Sequence, residues 1–239
     1  MIYLMSDIHG QYDRYRRMLE EIDLKESDRL YVLGDVIDRG PDSFSILFDL
    51  MKRKNVELFL GNHEHMMLTY LDGTDRESWF YGPNGGQVTY RAYQRLDQDE
   101  KDRVLDYLKY HTTLVRNLEI GGHRFVLSHS STPFTEEDLF TKDYIEDLYA
   151  IQDLVWNMGP DNTYDLEERE AGERPITFIS GHIVSQRFTY RDEIYTKVCD
   201  NGYTWIDIDC GCAMGKGRGA LACLSIDENG QIGEARYVK

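Results

Sequence analysis

A chain of 239 residues can bury a substantial core, as one large domain or as two small ones. Its hydrophobic residues (41%) and charged residues (29%) occur in the proportions of ordinary globular proteins, which argues against a disordered chain. With 43 Asp and Glu against 27 Lys and Arg, the formal net charge is −16, which argues against nucleic acid and anionic membranes as partners. A small anionic ligand would need local cations, and bound metal ions are one source of them.

Two further features bear on the cellular compartment. No apolar run approaches the roughly 18 residues needed to cross a bilayer, and the N-terminus lacks the pattern of a secretion signal. The four cysteines lie in the last quarter of the chain without a C-x-x-C pair, which favours reduced thiols over disulfides. We therefore expect a cytoplasmic monomer that does not contact a membrane.

Five short apolar runs are each followed by a small residue and then by a side chain that can bind a metal ion. Such runs, bounded by Gly or Ser, are typical of buried strands. The first three precede patterns that predict amphipathic helices at about 11–22, 42–53 and 63–71. This alternation predicts a parallel α/β sheet, whose ligands bind beyond the carboxyl ends of the strands. The side chains expected to converge there are Asp7 and His9, Asp35 and Asp38, Asn62 and His63, His129, and His182.

The alternation breaks between residues 72 and 113, where a turn-rich aromatic stretch precedes a predicted exposed helix at about 97–109. We interpret 72–113 as an insertion that caps the sheet ends within a single domain covering 1–239. The acidic stretch 160–175 is predicted to be a solvated loop. From about residue 188, short alternating runs predict β-hairpins and a second, largely antiparallel sheet edge.

The expected cluster contains carboxylates, imidazoles and one amide, but no thiolate. Such donors suit Mn, Fe or Zn and disfavour a soft-metal site, and Mn is our first expectation. The set has enough members for two divalent ions, which is the arrangement of two-metal hydrolases. Asp7 and His9 lie two residues apart and can share one ion, while Asp35 is well placed to bridge both.

Three motifs in sequence order resemble those of the calcineurin-like metallophosphoesterases, namely "DIHG" (7–10), "GDVIDRG" (34–40) and "GNHE" (61–64). More narrowly, they resemble the phosphoprotein phosphatase branch, including its bacterial and phage members. The likeness is dense over residues 2–64, and beyond them it extends to "NGG" (84–86), His129, "WN" (156–157), "GH" (181–182) and the C-terminal "IDIDCGCAMG". It implies a four-layer αββα sandwich, with two mixed sheets flanked by helices and a two-metal site at the strand ends.

The resemblance also implies a role for each residue of the cluster. A hydroxide between the two ions would attack phosphorus in line. His63 would protonate the leaving alkoxide as the general acid, oriented by Asp38, and Arg39 would bind phosphate oxygens. The metal ligands would be Asp7, His9 and Asp35 for the first ion, with Asp35 bridging, and Asn62, His129 and His182 for the second.

One departure from the family pattern bears on the substrate. In the phosphatase branch an arginine that binds phosphate follows the tryptophan–asparagine pair, whereas this chain has Met158. Arg39 would then act alone or with Arg187 or Arg218, and Asn84 of the "NGG" turn would line the mouth of the site.

The implied reaction is hydrolysis of phosphomonoesters, with phosphoserine or phosphothreonine on proteins as the first hypothesis. The second hypothesis is a dinucleoside polyphosphate or another small phosphorylated metabolite. Asp38 favours the first, since the tetraphosphate-hydrolysing relatives generally lack that aspartate. The missing arginine and the C-terminal "DCGCAMG" (209–215) favour the second.

The remaining polar residues receive structural interpretations. Asp207 and Asp209 alternate with isoleucines, which is the ordinary pattern of a strand. The others are interpreted as buried thiols (Cys210 and Cys212) and as surface or structural histidines (His65, His111 and His123).

Overall fold

The first three apolar runs form neighbouring parallel strands. In the computed structural model, which describes residues 1–130, 151–157, 175–199, 202–215 and 217–239, they are β1 (Ile2–Met5), β2 (Arg29–Val32) and β3 (Val56–Leu58). The helices that follow them are α1 (Tyr12–Ile22), α2 (Ser43–Lys52) and α3 (Asn62–Asp72). All three predicted helices are therefore confirmed, each to within about a residue at either end.

The later strands complete two mixed sheets. They are β4 (Val115–Ile120), β5 (His123–Ser128), β6 (Ile176–Ser180), β7 (Tyr195–Val198), β8 (Thr204–Asp207), β9 (Leu221–Ile226) and β10 (Arg236–Val238). One five-stranded sheet has the order β10-β9-β1-β2-β3, and the other has the order β4-β5-β6-β8-β7. The predicted α/β architecture of two mixed sheets flanked by helices is confirmed.

The C-terminal strands correct one prediction. The hairpins exist, because β7 pairs antiparallel with β8 and β10 pairs antiparallel with β9. They belong to different sheets, however: β9 pairs with β1 of the first sheet, and β8 also pairs in parallel with β6 of the second. A single, largely antiparallel edge was expected because a short apolar run looks the same whichever neighbour it acquires. Pairing between distant segments has no local sequence signal.

Three helical segments occupy the stretch between α3 and β4. A 3₁₀ turn at Ser78–Phe80 precedes α4 (Gly86–Tyr93) and α5 (Gln98–Tyr110). The helix predicted at 97–109 is confirmed, although one face of it is buried through Val104 and Leu108. The interpretation of 72–113 as a cap within one domain stays a prediction. Met158 and residues 160–174 of the acidic stretch lie outside the described residues.

Buried side chains cover both faces of the strands. Leu4, Leu33 and Phe59 of the first sheet share one apolar cluster with Phe125 and Ile179 of the second, so the sheets pack face to face. A larger cluster joins the outer faces to the helices. Strands covered on both sides explain the continuous apolar runs. Within the described ranges, no helix combines the length and apolarity that spanning a membrane requires.

Candidate functional site

Side chains from the carboxyl ends of five strands meet at one point, as the sequence predicts. Two sets of potential metal ligands form there, and within each set the ligand atoms lie within 4.8 Å of one another. One set is His9, Asp35 and His63, and the other is Asp35, His129 and His182. Asn62 joins the second set, because its Oδ1 lies 2.9 Å from both His129 Nε2 and His182 Nδ1.

Asp35 lies between the two sets. Its Oδ2 is 3.7 Å from His9 Nε2 and 3.8 Å from His63 Nε2, while its Oδ1 is 3.4 Å from His129 Nε2. Asp7, at the end of the neighbouring strand, places its Oδ1 3.9 Å from His9 Nε2. A single carboxylate shared by both sets is the arrangement that bridging requires.

The loops that carry these residues are wound into an uncommon conformation. Eight non-glycine residues of the described chain have positive φ, and six of them are predicted site residues. Residues other than glycine adopt this conformation rarely, because each costs roughly 1–3 kcal/mol and the conformation persists only where the surrounding structure enforces it. The six are Asp7, His9, Asp35, Asp38, Arg39 and His182, with φ between 48° and 74°.

Hydrogen bonds to backbone carbonyls fix the orientation of two imidazoles. His9 Nδ1 donates to Ile37 O at 2.8 Å, and His129 Nδ1 donates to Leu33 O at 2.7 Å. A carbonyl can only accept, so in each neutral ring Nε2 carries the lone pair that points into the site. Burial and, second, the Arg39 charge hold the pKa of His9 well below its usual range, and burial does the same for His129. Both rings are therefore neutral, as metal ligands must be.

The donor atoms fit divalent cations. The lone pair of His129 Nε2 faces Asn62 Oδ1 at 2.9 Å and Asp35 Oδ1 at 3.4 Å, so three acceptors point at one another. Burial, then neighbouring carboxylates, raise the pKa values of Asp7 and Asp35 well above the ordinary range. A cation among these atoms would offset both the acceptor contacts and the buried negative charge. Carboxylate, imidazole and amide donors without thiolate suit Mn, Fe or Zn, and they do not select one of the three.

A histidine–aspartate pair lies beside these donors. His63 Nδ1 donates to Asp38 Oδ2 at 2.7 Å, and both residues are buried. Arg39, which is exposed to solvent, places Nη2 at 3.1 Å from His63 Nε2 and brings Nη1 into contact with His9 Nε2. Burial and then the Arg39 charge lower the pKa of His63. This grouping of imidazole, carboxylate and guanidinium is the one predicted for an acid pair and a phosphate-binding arginine.

The other predicted substrate contacts have separate surroundings. Asn84 Nδ2 donates to Ser78 O at 2.8 Å, so the side-chain amide stabilises the turn that follows the 3₁₀ segment. Arg187 is exposed on the short helix α6 (Gln186–Thr189), close enough to contribute to the lowered pKa of His182. Arg218 is exposed in the loop before β9. Substrate roles for these three residues stay predictions.

The three histidines given structural interpretations lie outside both ligand sets. His65 is buried in α3, two positions after His63. His111 is exposed at the end of α5, and His123 Nε2 lies 2.8 Å from Thr177 Oγ1.

Glu64 is a residue of the site that we did not predict. Its fully buried carboxylate accepts hydrogen bonds at 2.9–3.2 Å from four backbone N–H groups, those of Asp35, Val36, Ile37 and Gly61. It thereby ties the loop after β2 to the start of α3. The available signal was its position three residues after Gly61, where a glutamate commonly caps the first turn of a helix.

Replacing Glu64 with alanine should destabilise the fold. Each buried donor left unsatisfied costs roughly 1–3 kcal/mol, so we expect the free energy of unfolding to fall by about 3 kcal/mol or more. Urea denaturation of the chelator-treated protein measures it. Glu100 occupies the same position in α5 but is only half-buried and accepts one bond at 3.1 Å, from Asp97 N. Glu100→Ala should lower the unfolding free energy by about 1 kcal/mol or less. Equal losses in the two variants would contradict a special role for Glu64.

Asp207 is the last residue of β8, as the strand pattern predicts, and Asp209 lies two residues beyond it. Both are buried at the end of β8, a sixth strand end that points at the site. Asp209 accepts from Gly211 N at 2.8 Å and is close enough to Asp7 to raise the pKa of that carboxyl. Asp207 Oδ2 has no partner within the described parts of the chain. β8 lies between β6 and β7 in its sheet, and its last three residues, on both faces of the strand, are buried.

Comparison with known proteins gives one family. Residues 1–205 match the profile of the calcineurin-like phosphoesterases. The symmetrical bis(5'-nucleosyl)-tetraphosphatase of Delftia acidovorans is 31% identical over 132 residues, which are 54% of this chain and 43% of that protein. The serine/threonine-protein phosphatase 2 of Escherichia coli K12 is 26% identical over 196 residues, covering 81% of this chain and 85% of that protein.

The structural likeness extends over the whole chain. The crystal structure of a metallophosphoesterase from Sphaerobacter thermophilus superposes with a TM-score of 0.57 at 15% identity, covering 100% of this chain and 88% of that one. At this level of identity the likeness concerns the fold. The sequence alignments with three of the tetraphosphatases span less than half the length of those proteins.

Proposed function

The chain belongs to the calcineurin-like phosphoesterase family, and we propose that it hydrolyses phosphomonoesters with two divalent metal ions at the Asp35 site. The observation that carries the proposal is the His63–Asp38 pair, joined at 2.7 Å beside two sets of metal-ligating atoms. The site therefore contains a proton donor, metal ligands and a guanidinium. These are the groups needed to bind a phosphoryl group and to release an alcohol.

Each group has a separate part in this proposal. When bound, the ions polarise phosphoryl oxygens and lower the pKa of coordinated water. Arg39 binds the remaining phosphate oxygens, since its planar fork matches them and its charge offsets theirs. A phosphate dianion at Arg39 also counters the charge that depresses the pKa of His63, which favours a protonated ring. The residues that would hold the ions are Asp7, His9, Asp35, Asn62, His129 and His182.

The acid pair bears on the choice of substrate. An alkoxide is a strongly basic leaving group and needs a proton as it departs. The nucleotide released from a dinucleoside polyphosphate is a weak base and departs without one. His63 with Asp38 therefore favours phosphoserine or phosphothreonine. The likeness to the serine/threonine-protein phosphatase over 81% of the chain supports a protein substrate.

The second candidate is a dinucleoside polyphosphate. It is favoured by the 31% identity to a symmetrical tetraphosphatase, although this covers 54% of the chain. For either substrate, a cytoplasmic monomer that binds neither nucleic acid nor membrane remains our expectation from the sequence and its charge of −16.

Turnover of three substrates by the Mn²⁺-loaded protein tests the proposal. We expect kcat/KM to be about tenfold or more higher for a phosphothreonine peptide than for a dinucleoside tetraphosphate, with p-nitrophenyl phosphate also hydrolysed. EDTA should abolish all three activities, and added Mn²⁺ should restore them once metal analysis shows that the ions were stripped. A preference for the tetraphosphate would favour the second candidate. Activity indifferent to chelation and metal would contradict the two-metal proposal.

A further inference from the structure

We propose that Trp79 is a positioning residue for the acid pair, holding the Asp38 carboxylate in the orientation in which it binds His63. The inference rests on the proposed function, because it assigns a part in that function's proton donor. It adds a residue from the stretch between α3 and α4, which lies outside the three motifs that indicate the family.

The indole N–H of Trp79 is directed at both oxygens of Asp38. Nε1 lies 2.9 Å from Oδ2 and 3.1 Å from Oδ1, and both residues are almost fully buried. Oδ2 is also the oxygen that accepts from His63 Nδ1 at 2.7 Å. A donor shared between the two oxygens restricts rotation of the carboxylate, so the indole fixes the acceptor on which the imidazole is aligned.

The same hydrogen bond stabilises the charge of Asp38. Burial raises the pKa of Asp38 to about 7, and hydrogen bonds from Thr89 and Trp79 oppose that rise. Asp38 N also donates to Thr89 Oγ1, in α4, at 2.9 Å. Thr89 of α4 thus holds the backbone of Asp38, and Trp79 of the preceding stretch holds its side chain.

Aromatic packing fixes the indole itself. The Trp79 ring lies 5.4 Å from the rings of Tyr70 and Phe80 and 6.0 Å from that of Tyr90, measured between centroids. Tyr70 belongs to α3 and Tyr90 to α4, so two helices enclose the ring. A side chain enclosed in this way can orient another without reorganising at each turnover.

The "NGG" motif supports this arrangement. A Cβ on Gly86 would lie 2.3 Å from Trp79 O and 2.5 Å from Trp79 Cδ1, so a larger residue would displace the tryptophan. Gly85 has a φ of +77° and packs against the Arg39 backbone, where an added Cβ would be 3.1 Å from Arg39 N. Asn84 Nδ2 closes the turn on Ser78 O at 2.8 Å. The two glycines of the motif therefore pack directly against the Trp79 indole and the Arg39 backbone.

Trp79→Phe tests the inference, because it removes the N–H and keeps an aromatic ring. We expect kcat on the phosphothreonine peptide to fall about tenfold, within the roughly 10²–10⁴-fold contribution of a general acid. For p-nitrophenyl phosphate, whose leaving group needs little protonation, the fall should be less than about twofold. KM should stay unchanged for both substrates. Trp79→His, which retains a ring N–H, should recover part of the lost peptide turnover.

Trp205→Phe is the matched control. Trp205, in β8 of the second sheet, is also fully buried, and its Nε1 donates to Ser180 Oγ of β6 at 2.8 Å. For Trp205→Phe we expect a lower Tm, while the ratio of kcat on the peptide to kcat on p-nitrophenyl phosphate stays unchanged. In an Asp38→Asn background, Trp79→Phe should leave that ratio as it is.

Two outcomes would overturn the inference: equal losses on both substrates in Trp79→Phe, or a lower ratio in Trp205→Phe as well. Failure of the proposed function would be recognised separately, as a parent protein that hydrolyses neither monoester.

Discussion

Replacing Asp35 with asparagine is expected to remove bound metal and phosphatase activity together. Its carboxylate belongs to both ligand sets, with Oδ2 3.7 Å from His9 Nε2 and Oδ1 3.4 Å from His129 Nε2. An amide keeps the shape but loses the negative charge that two cations would share. Metal ions supply several kcal/mol of transition-state stabilisation, so kcat on p-nitrophenyl phosphate should fall at least about 10³-fold. Elemental analysis after dialysis measures the bound metal.

The asparagine variant should remain folded. The Asp35 Oδ1 position accepts from His63 N at 3.0 Å, and an amide oxygen can accept that bond equally well. Added Mn²⁺ should raise the Tm of the chelator-treated parent protein, because an ion that binds only the native state stabilises it, and should leave that of the variant unchanged.

Asp49→Asn provides the control for Asp35. Asp49 Oδ2 accepts from Tyr15 Oη at 2.7 Å and from Arg53 Nε at 2.6 Å, away from both ligand sets. Its replacement should lower Tm while metal content and activity persist. An Asp35→Asn protein that retains two equivalents of metal, or the parent rate, would contradict the shared-ligand assignment.

Local patterns in the sequence suffice to predict most of the ligand cluster. An apolar run, a small spacer and a polar side chain recur where β1, β2, β3, β5 and β6 end, and parallel strands bring such ends to one edge. Nothing local signals that β8 joins the same edge, because a short helix and the antiparallel strand β7 separate it from its parallel partner β6 in the chain. Asp209 was therefore missed although it lies beside Asp7.

Contacts with distant backbone or side chains are the other group without a local signal, although the helix-capping position of Glu64 could be recognised. Glu64 binds N–H groups 27 to 29 positions earlier in the chain, and Trp79 binds Asp38 across 41 positions. Neither contact follows a helical or strand period. Such pairs become visible only when the fold places the two segments together.

The same long-range contacts explain the strained loops. Asp35, Asp38 and Arg39 all adopt positive φ, which no glycine or asparagine at those positions predicts. Glu64 accepts from the backbone of the first of them, while Ser43, Thr89 and Trp79 hold the second. We infer that buried hydrogen bonds enforce a conformation that the local sequence would not choose, and that this conformation aims the Asp35 and Arg39 side chains at one point.

Replacing His63 with asparagine should separate substrates by their leaving groups. Asparagine can still hydrogen-bond to Asp38, but it has no titratable proton to give to a departing alkoxide. We expect kcat on the phosphothreonine peptide to fall by roughly 10²–10⁴-fold, the contribution of a general acid. On p-nitrophenyl phosphate the fall should be far smaller, because nitrophenolate departs without a proton.

His65→Asn is the control, since His65 lies two positions away in the same helix, is equally buried and belongs to neither ligand set. Its replacement should change both rates by the same small factor. Equal losses on the peptide and the aryl ester in His63→Asn would instead mean that the ring binds a metal ion, the alternative left open by its place beside His9 and Asp35. Metal analysis distinguishes the two, because the loss of an acid leaves the bound ions in place, whereas the loss of a ligand does not.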